Sequence, residues 1–309
     1  MILNLRNWLA ACSVAFLAAC GGGSDDDLFT VLGVAKDDPQ FSILAEAVAA
    51  ADLDATLNGA GPFTVFAPTN AAFASLLGEL GVTKEQLLAD KALLTAVLTY
   101  HVLPAEVPKA AVPLGKAITT AQGGIFKVEA GTGGALTIQD GRNRVAQIVA
   151  TDVEARNGVV HVIDKVILPA NRSIVETAIA TSDFSILVDA VVAADLAGAL
   201  SGPGPFTVFA PTNAAFAALL NELGVTKDEL LANKALLTSV LKYHVVPGRV
   251  LKADVPVGAA IATLETGKTF TVDSSLAITD TAGRRANIVA TDVFASNGVI
   301  HVIDRVILP

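Results

Sequence analysis

The thirteen residues Gly-Pro-Phe-Thr-Val-Phe-Ala-Pro-Thr-Asn-Ala-Ala-Phe stand at 61–73 and return unchanged at 204–216. A chain built this way reads as one module written twice, 143 positions apart. The segment also prescribes local structure. Phe63, Val65 and Phe66 lie among β-formers and predict a short buried strand. Pro68 confines Ala67 to extended geometry and stops the strand. Thr69 or Asn70 then caps a helix carrying Phe73, Leu76 and Leu77, and Thr212 and Asn213 hold the same places in the second copy.

At 309 residues the chain is about twice a typical domain length, which suits two modules. Hydrophobic residues make up 52% and charged ones 17%, enough apolar surface for two packed cores. The formal charge of −9 repels nucleic acid, and no Lys/Arg cluster stands out against it, which argues against that class of partner. The only cysteines are Cys12 and Cys20, so the modules hold neither an internal disulfide nor a thiolate metal site.

Residues 1–19 carry one charge, Arg6, ahead of an apolar run from Trp8 to Ala19. That run is short for a membrane span and has the layout of a secretory signal. Its end, Leu17-Ala18-Ala19-Cys20, resembles the lipobox of bacterial lipoproteins, which implies a lipid on Cys20. The alternative is an ordinary signal peptide that happens to contain a cysteine. Residues 20–27, rich in glycine and aspartate, read as a flexible tether. By the same resemblance, Gly21 after the cysteine favours the outer membrane of a cell envelope, with the membrane face left open.

The first module is placed at 28–169 and the second at 170–309. Gly33 weakens a first helix, Asp38-Pro39 starts the next, and Thr83 with Gln86 forms a capping box ahead of further helical pattern up to Tyr100. Beyond Pro113 the pattern turns to short strands: Ala117–Thr119, Ile125–Val128, Leu136–Ile138 and Val145–Ala150. A final pair, Thr151–Ala155 and Val159–Leu168, flanks Asn157-Gly158, a hairpin turn signal. Helices early and strands late give an α+β fold, with helices layered against a mainly antiparallel sheet. The second copy repeats this order, and Ala170-Asn171-Arg172 is so short a linker that it predicts a defined, rod-like pair.

These motifs resemble the fasciclin domain. The paired Thr-Val-Phe-Ala-Pro-Thr-Asn-Ala-Ala-Phe segments are similar to its first signature, and the runs at 157–169 and 297–309 to its second. Tyr100-His101 and Tyr243-His244 match its Tyr-His element. The resemblance implies two tandem modules, each a β-wedge with a helical layer, secreted or membrane-anchored and working in adhesion. It also makes Tyr100, His101, Tyr243 and His244 candidate contact residues, since that region is associated with receptor binding in animal relatives.

All four histidines come in pairs, His101 with His244 and His161 with His301. A metal reading is disfavoured because no closely spaced ligand pair such as His-x-x-x-His occurs. His161 and His301, set in apolar strands, read as structural imidazoles, and Asp164 and Asp304 as local turn or ion-pair anchors. Thr69, Asn70, Thr212 and Asn213 complete the structural set. No nucleophile elbow, phosphate loop or dinucleotide fingerprint is present, so no catalytic residue and no cofactor is assigned. The expectation is a non-enzymatic envelope lipoprotein, held to a membrane through Cys20 and meeting a protein or glycan partner at the surface. Its oligomeric state stays open. One rival is a carrier holding a small apolar ligand, lipid or pigment, in a cleft between helices and sheet. Another is a hydrolase of envelope polymers.

Overall fold

The computed structural model describes residues 29–309. The signal peptide read at 1–19, the lipid site Cys20 and the tether at 20–27 lie outside the described residues.

The first module opens with α1 (Val31–Asp37), α2 (Ser42–Ala50) and α3 (Asp54–Leu57), then β1 (Phe63–Pro68) and α4 (Asn70–Leu80). After α5 (Lys84–Ala89) and α6 (Lys91–Tyr100) come β2 (Val102–Leu103), β3 (Ile118–Thr119) and β4 (Ile125–Ala130). β5 (Leu136–Gln139), β6 (Val145–Ala155) and β7 (Gly158–Ile163) close it. The second module follows with α7 (Ile174–Ile179), α8 (Ser185–Ala193), α9 (Ala197–Leu200), β8 (Phe206–Pro211) and α10 (Asn213–Leu223). Then come α11 (Lys227–Ala232), α12 (Lys234–Tyr243), β9 (Val245–Pro247), β10 (Ala260–Ala262) and β11 (Thr269–Val272). β12 (Ala277–Thr279), β13 (Arg285–Ala295) and β14 (Gly298–Ile303) end it.

Each module has a seven-stranded sheet, ordered β2-β1-β7-β6-β5-β4-β3 in the first and mirrored element for element in the second. The sheet is antiparallel except where β1 lies parallel to β7, with Phe63 opposite Gly158. The repeated segment therefore forms an inner strand, with β2 on its other side. Alternation along it serves two cores. Val65 and Ala67 join Phe73, Leu98, Val160 and Val162 under the helices. Phe66 faces the opposite way, to Phe126, Ile138 and Ile163. Because both faces are covered, β7 is buried along its whole length, apolar but for His161, rather than alternating.

Local chemistry explains the departures from the sequence reading. α1 survives Gly33 because the Thr30 hydroxyl accepts the Gly33 N–H at 3.0 Å and the Asn157 side chain accepts that of Val31 at 2.8 Å. The runs at 145–150 and 151–155 are a single strand, β6, whose register slips near Ala150. The last arm stops at Ile163, because Ile167 and Leu168 turn their N–H groups to the His101 ring and the Asp140 carboxylate. Gly158 sits at φ +151°, and a Cβ there would lie 1.9 Å from the Phe63 carbonyl oxygen. At Gly298 the corresponding distance, to Phe206, is 2.0 Å.

The modules meet where the two copies differ. Lys127 reaches Asp292, Gln139 donates to the Asp292 carbonyl at 2.7 Å, and Asn143 exchanges two hydrogen bonds with the Phe294 backbone. Ile125 packs with Leu251, Phe294 and Val299. At the equivalent positions of the other copy stand Thr271, Thr279, Gly283 and Thr269, and Pro108 and Glu154 in place of Leu251 and Phe294. The contact is head-to-tail, and neither module carries both halves of it.

Candidate functional site

The Tyr-His element lies where α6 ends and β2 begins, so its two side chains leave the chain at the seam between helices and sheet. Both point inward. The Tyr100 hydroxyl donates to the Ile125 carbonyl at 2.5 Å and accepts the Gly141 N–H at 2.8 Å. Burial raises its pKa, with the nearby Asp140 carboxylate adding to the rise. His101 Nδ1–H donates to the Val97 carbonyl at 2.7 Å, and Nε2 accepts the Ile167 N–H at 3.0 Å. With one nitrogen donating and the other accepting, the ring is neutral. Burial pushes its pKa down to about 4. Tyr243 and His244 repeat the arrangement on Thr269, Val240 and Ile307, and His244 is likewise lowered to about 4 by burial.

The other imidazole pair has the opposite tautomer. His161 Nε2–H donates to the Val107 carbonyl at 2.9 Å while Nδ1 accepts the Asp152 N–H at 3.2 Å. His301 does the same with Val250 and Asp292. Asp152 and Asp292 both sit at φ +59°, which aims each N–H at its ring. All eight ring nitrogens thus serve the backbone. Among the described residues no group of three or more His, Cys, Asp or Glu is placed to hold a metal ion.

The four side chains expected at a contact surface are all buried, Tyr100 and Tyr243 wholly and His101 and His244 to 2% exposure. Their polar atoms are engaged internally, so they cannot themselves meet a partner, and that expectation is corrected. What this edge exposes in the first module is the run from Pro104 to Glu106 and on from Pro108 to Ala111. In the second module the equivalent loop carries Arg249 and Leu251 into the module junction.

The remaining sequence candidates act as fasteners. Thr69 caps α4 through the Ala72 N–H, and Asn70 binds the Ile43 N–H, the Pro39 carbonyl and the Ser42 hydroxyl, tying α4 to the start of α2. Thr212 and Asn213 repeat those bonds in the second module. Asp164 accepts the Gln147 N–H at 2.7 Å, and Asp304 that of Asn287 at the same distance. Each thereby clasps the base of a hairpin.

Two pairs of comparable weight escaped the sequence reading. Asp140 and Asp280 are buried carboxylates that gather turn N–H groups and the N–H of Leu168 or Leu308. Asn157 does more than turn the hairpin: its amide donates to the Leu57 and Gly59 carbonyls while its oxygen holds Val31. Asn297 repeats this on Leu200, Gly202 and Ile174. Their presence at matched places in both copies was the available signal. A cleft of about 320 Å³ also opens at the junction, with Gly124, Gly141, Arg249, Phe294 and Ser296 on its walls.

The chain matches the fasciclin domain model twice, at residues 39–169 and 182–309. Protein sll1483 of Synechocystis is 50% identical over 139 residues, covering 44% of this chain and 73% of the relative. The transforming growth factor-beta-induced protein ig-h3 of Sus scrofa is 32% identical over 255 residues, which is 82% of this chain but 35% of that protein. A solved FAS1 domain pair from the insect cell adhesion molecule fasciclin I aligns at a TM-score of 0.45 and 18% identity, covering 90% of this chain and 96% of that one. Family matches of this extent, falling on both copies of the duplicated module, place the chain in the fasciclin family as a protein of two tandem fasciclin domains.

Proposed function

We propose that this protein works by adhesion, as a non-enzymatic surface molecule of a cell envelope held to a membrane through Cys20. The observation that carries the reading is the fixed pairing of two fasciclin domains through a buried, head-to-tail junction. A rigid pair presents its outer loops at a set spacing, which suits contact with a partner. The polar groups kept in both copies support the same reading. Their nitrogens and oxygens bind backbone atoms, which is architecture and leaves nothing poised for proton transfer at those positions.

The contact surface we assign is the first module's loop at 104–111, beside edge strand β2, with a surface protein or glycan as partner. It is the exposed part of the Tyr-His edge, whereas the second module spends its equivalent on the junction. Beads coated with the purified protein should bind intact cells or matrix of its own host. A Glu106→Arg, Lys109→Glu pair, both in exposed loop positions, should reduce attachment several-fold while the thermal midpoint stays put. Attachment unchanged by that pair would move the contact elsewhere. No attachment by the wild-type protein would sink the adhesive reading.

A further inference from the structure

The two modules differ on the face formed by their first three helices, and the difference bears on ligand binding. In the second module an apolar cavity of about 100 Å³ lies between α7, α8 and α9, above β8 and α12. Ala178, Leu187, Val191, Leu200 and Val208 are among the side chains that line it. Cavities walled by such side chains stay dry and accept apolar guests. At its rim Ile179 and Val192 are 63% and 64% exposed, among the most exposed large apolar residues described.

The first module is an internal comparison. Where the second has Ile179, Val188, Val192 and Ala197, the first has Lys36, Ala45, Ala49 and Asp54. There Lys36 Nζ meets Asp54 Oδ1 at 2.6 Å and bridges α1 to α3. One copy of the same fold thus joins these helices with an ion pair, and the other leaves hydrocarbon in water at the same place. Exposing two large aliphatic groups beside an apolar cavity is costly unless something covers them.

The charge around the cavity narrows the ligand. Residues 174–200 contain Glu176, Asp183, Asp189 and Asp195 and no lysine or arginine. Lys227 of α11 pairs with Asp189 and Lys234 of α12 reaches Asp195, which leaves Glu176 and Asp183 as the excess of negative charge. His244 is the one polar residue in the lining, and both its ring nitrogens are already bonded to backbone. With nothing there to meet amides, and an excess of acid outside, the site suits a plain hydrocarbon chain whose head group is not an anion. We infer that the second module binds the end of the alkyl or acyl chain of an uncharged amphiphile, its last few carbons inserted between α7 and α8 and the rest lying over Ile179 and Val192 with the head in water. This goes beyond the adhesive reading and does not depend on it.

The test uses the full chain, 1-dodecanol, dodecanoate and vesicles of phosphatidylcholine. Calorimetry should show 1-dodecanol binding at least tenfold tighter than dodecanoate. The double substitution Ile179→Lys, Ala197→Asp, which copies the first module's ion pair, should weaken dodecanol at least tenfold. Val188→Phe, which narrows the mouth without charge, should act in the same direction and covers the case in which the double variant does not fold. Co-flotation with vesicles, lost in the same variants, would identify the chain as a membrane lipid's. Dodecanol binding without flotation would identify a free amphiphile. The inference is overturned if dodecanol does not bind, if folded variants bind it as the wild type does, or if dodecanoate binds as tightly.

Discussion

Lys127 Nζ lies 2.8 Å from Asp292 Oδ2, an ion pair between the two modules in which both side chains are almost fully buried. The other Asp292 oxygen accepts the Lys252 N–H at 2.8 Å, and its own N–H goes to His301. The junction is therefore wired into the strand pairing of the second module as well as into the first.

Lys127→Thr, which installs the residue of the other copy, would leave Asp292 buried without its cation. Breaking one side of a buried pair costs about 3–5 kcal/mol. The wild type should unfold in scanning calorimetry as one cooperative unit, and the variant should separate into two transitions. A single transition at the original temperature would show that the pair does not couple the modules.

Acid should destabilise the protein before its carboxylates titrate. His101 and His244 are held neutral by burial, from an ordinary value of 6.5 down to about 4. The unfolded chain therefore binds more protons than the folded one between those values, so stability is full above pH 6.5 and falls as the pH approaches 4. A proton on His101 Nε2 would also face the Ile167 N–H that now donates to it. The loss reaches roughly 3 kcal/mol per imidazole. Urea unfolding from pH 7 to 4.5 should show the free energy dropping with about two protons taken up. A flat profile would refute this.

Glycine substitutions should have opposite signs at two sites. Gly158→Ala drives a Cβ into the Phe63 carbonyl at a backbone angle that L-residues avoid, and should cost more than about 3 kcal/mol. Gly78 lies inside α4 with nothing near the place a Cβ would take. Gly78→Ala should stabilise by about 1 kcal/mol. Circular dichroism melts of both variants check the pair, and a tolerated Gly158→Ala would contradict the close approach of β1 to β7.

The duplication was legible from identity alone, and the strand-Pro-helix segment and the Thr83–Gln86 capping box because each rests on neighbours in sequence. Thr69 shows the strength of such signals, since its oxygen finds an N–H three residues on. Asn70 shows the limit. The same local pattern hid that its side chain reaches back across 27 residues to Ile43. The Tyr-His pair misled for another reason: the resemblance associates that region with contact, and the carbonyls and amides that consume these side chains, from Ile125, Gly141 and Ile167, come from distant strands and turns. Comparing the copies for sameness found the fasteners and passed over the junction, which is made of their differences.

The parallel pairing of β1 with β7 has a bearing on how the protein is made. A ribosome delivers Phe63 long before Gly158, so β1 must wait beside its helices, without its inner neighbour, until the module's last strand emerges. Each half can then lock only when nearly all of it has been synthesised. A chain destined for export would cross its membrane most easily in that interval, while the wedge is still open.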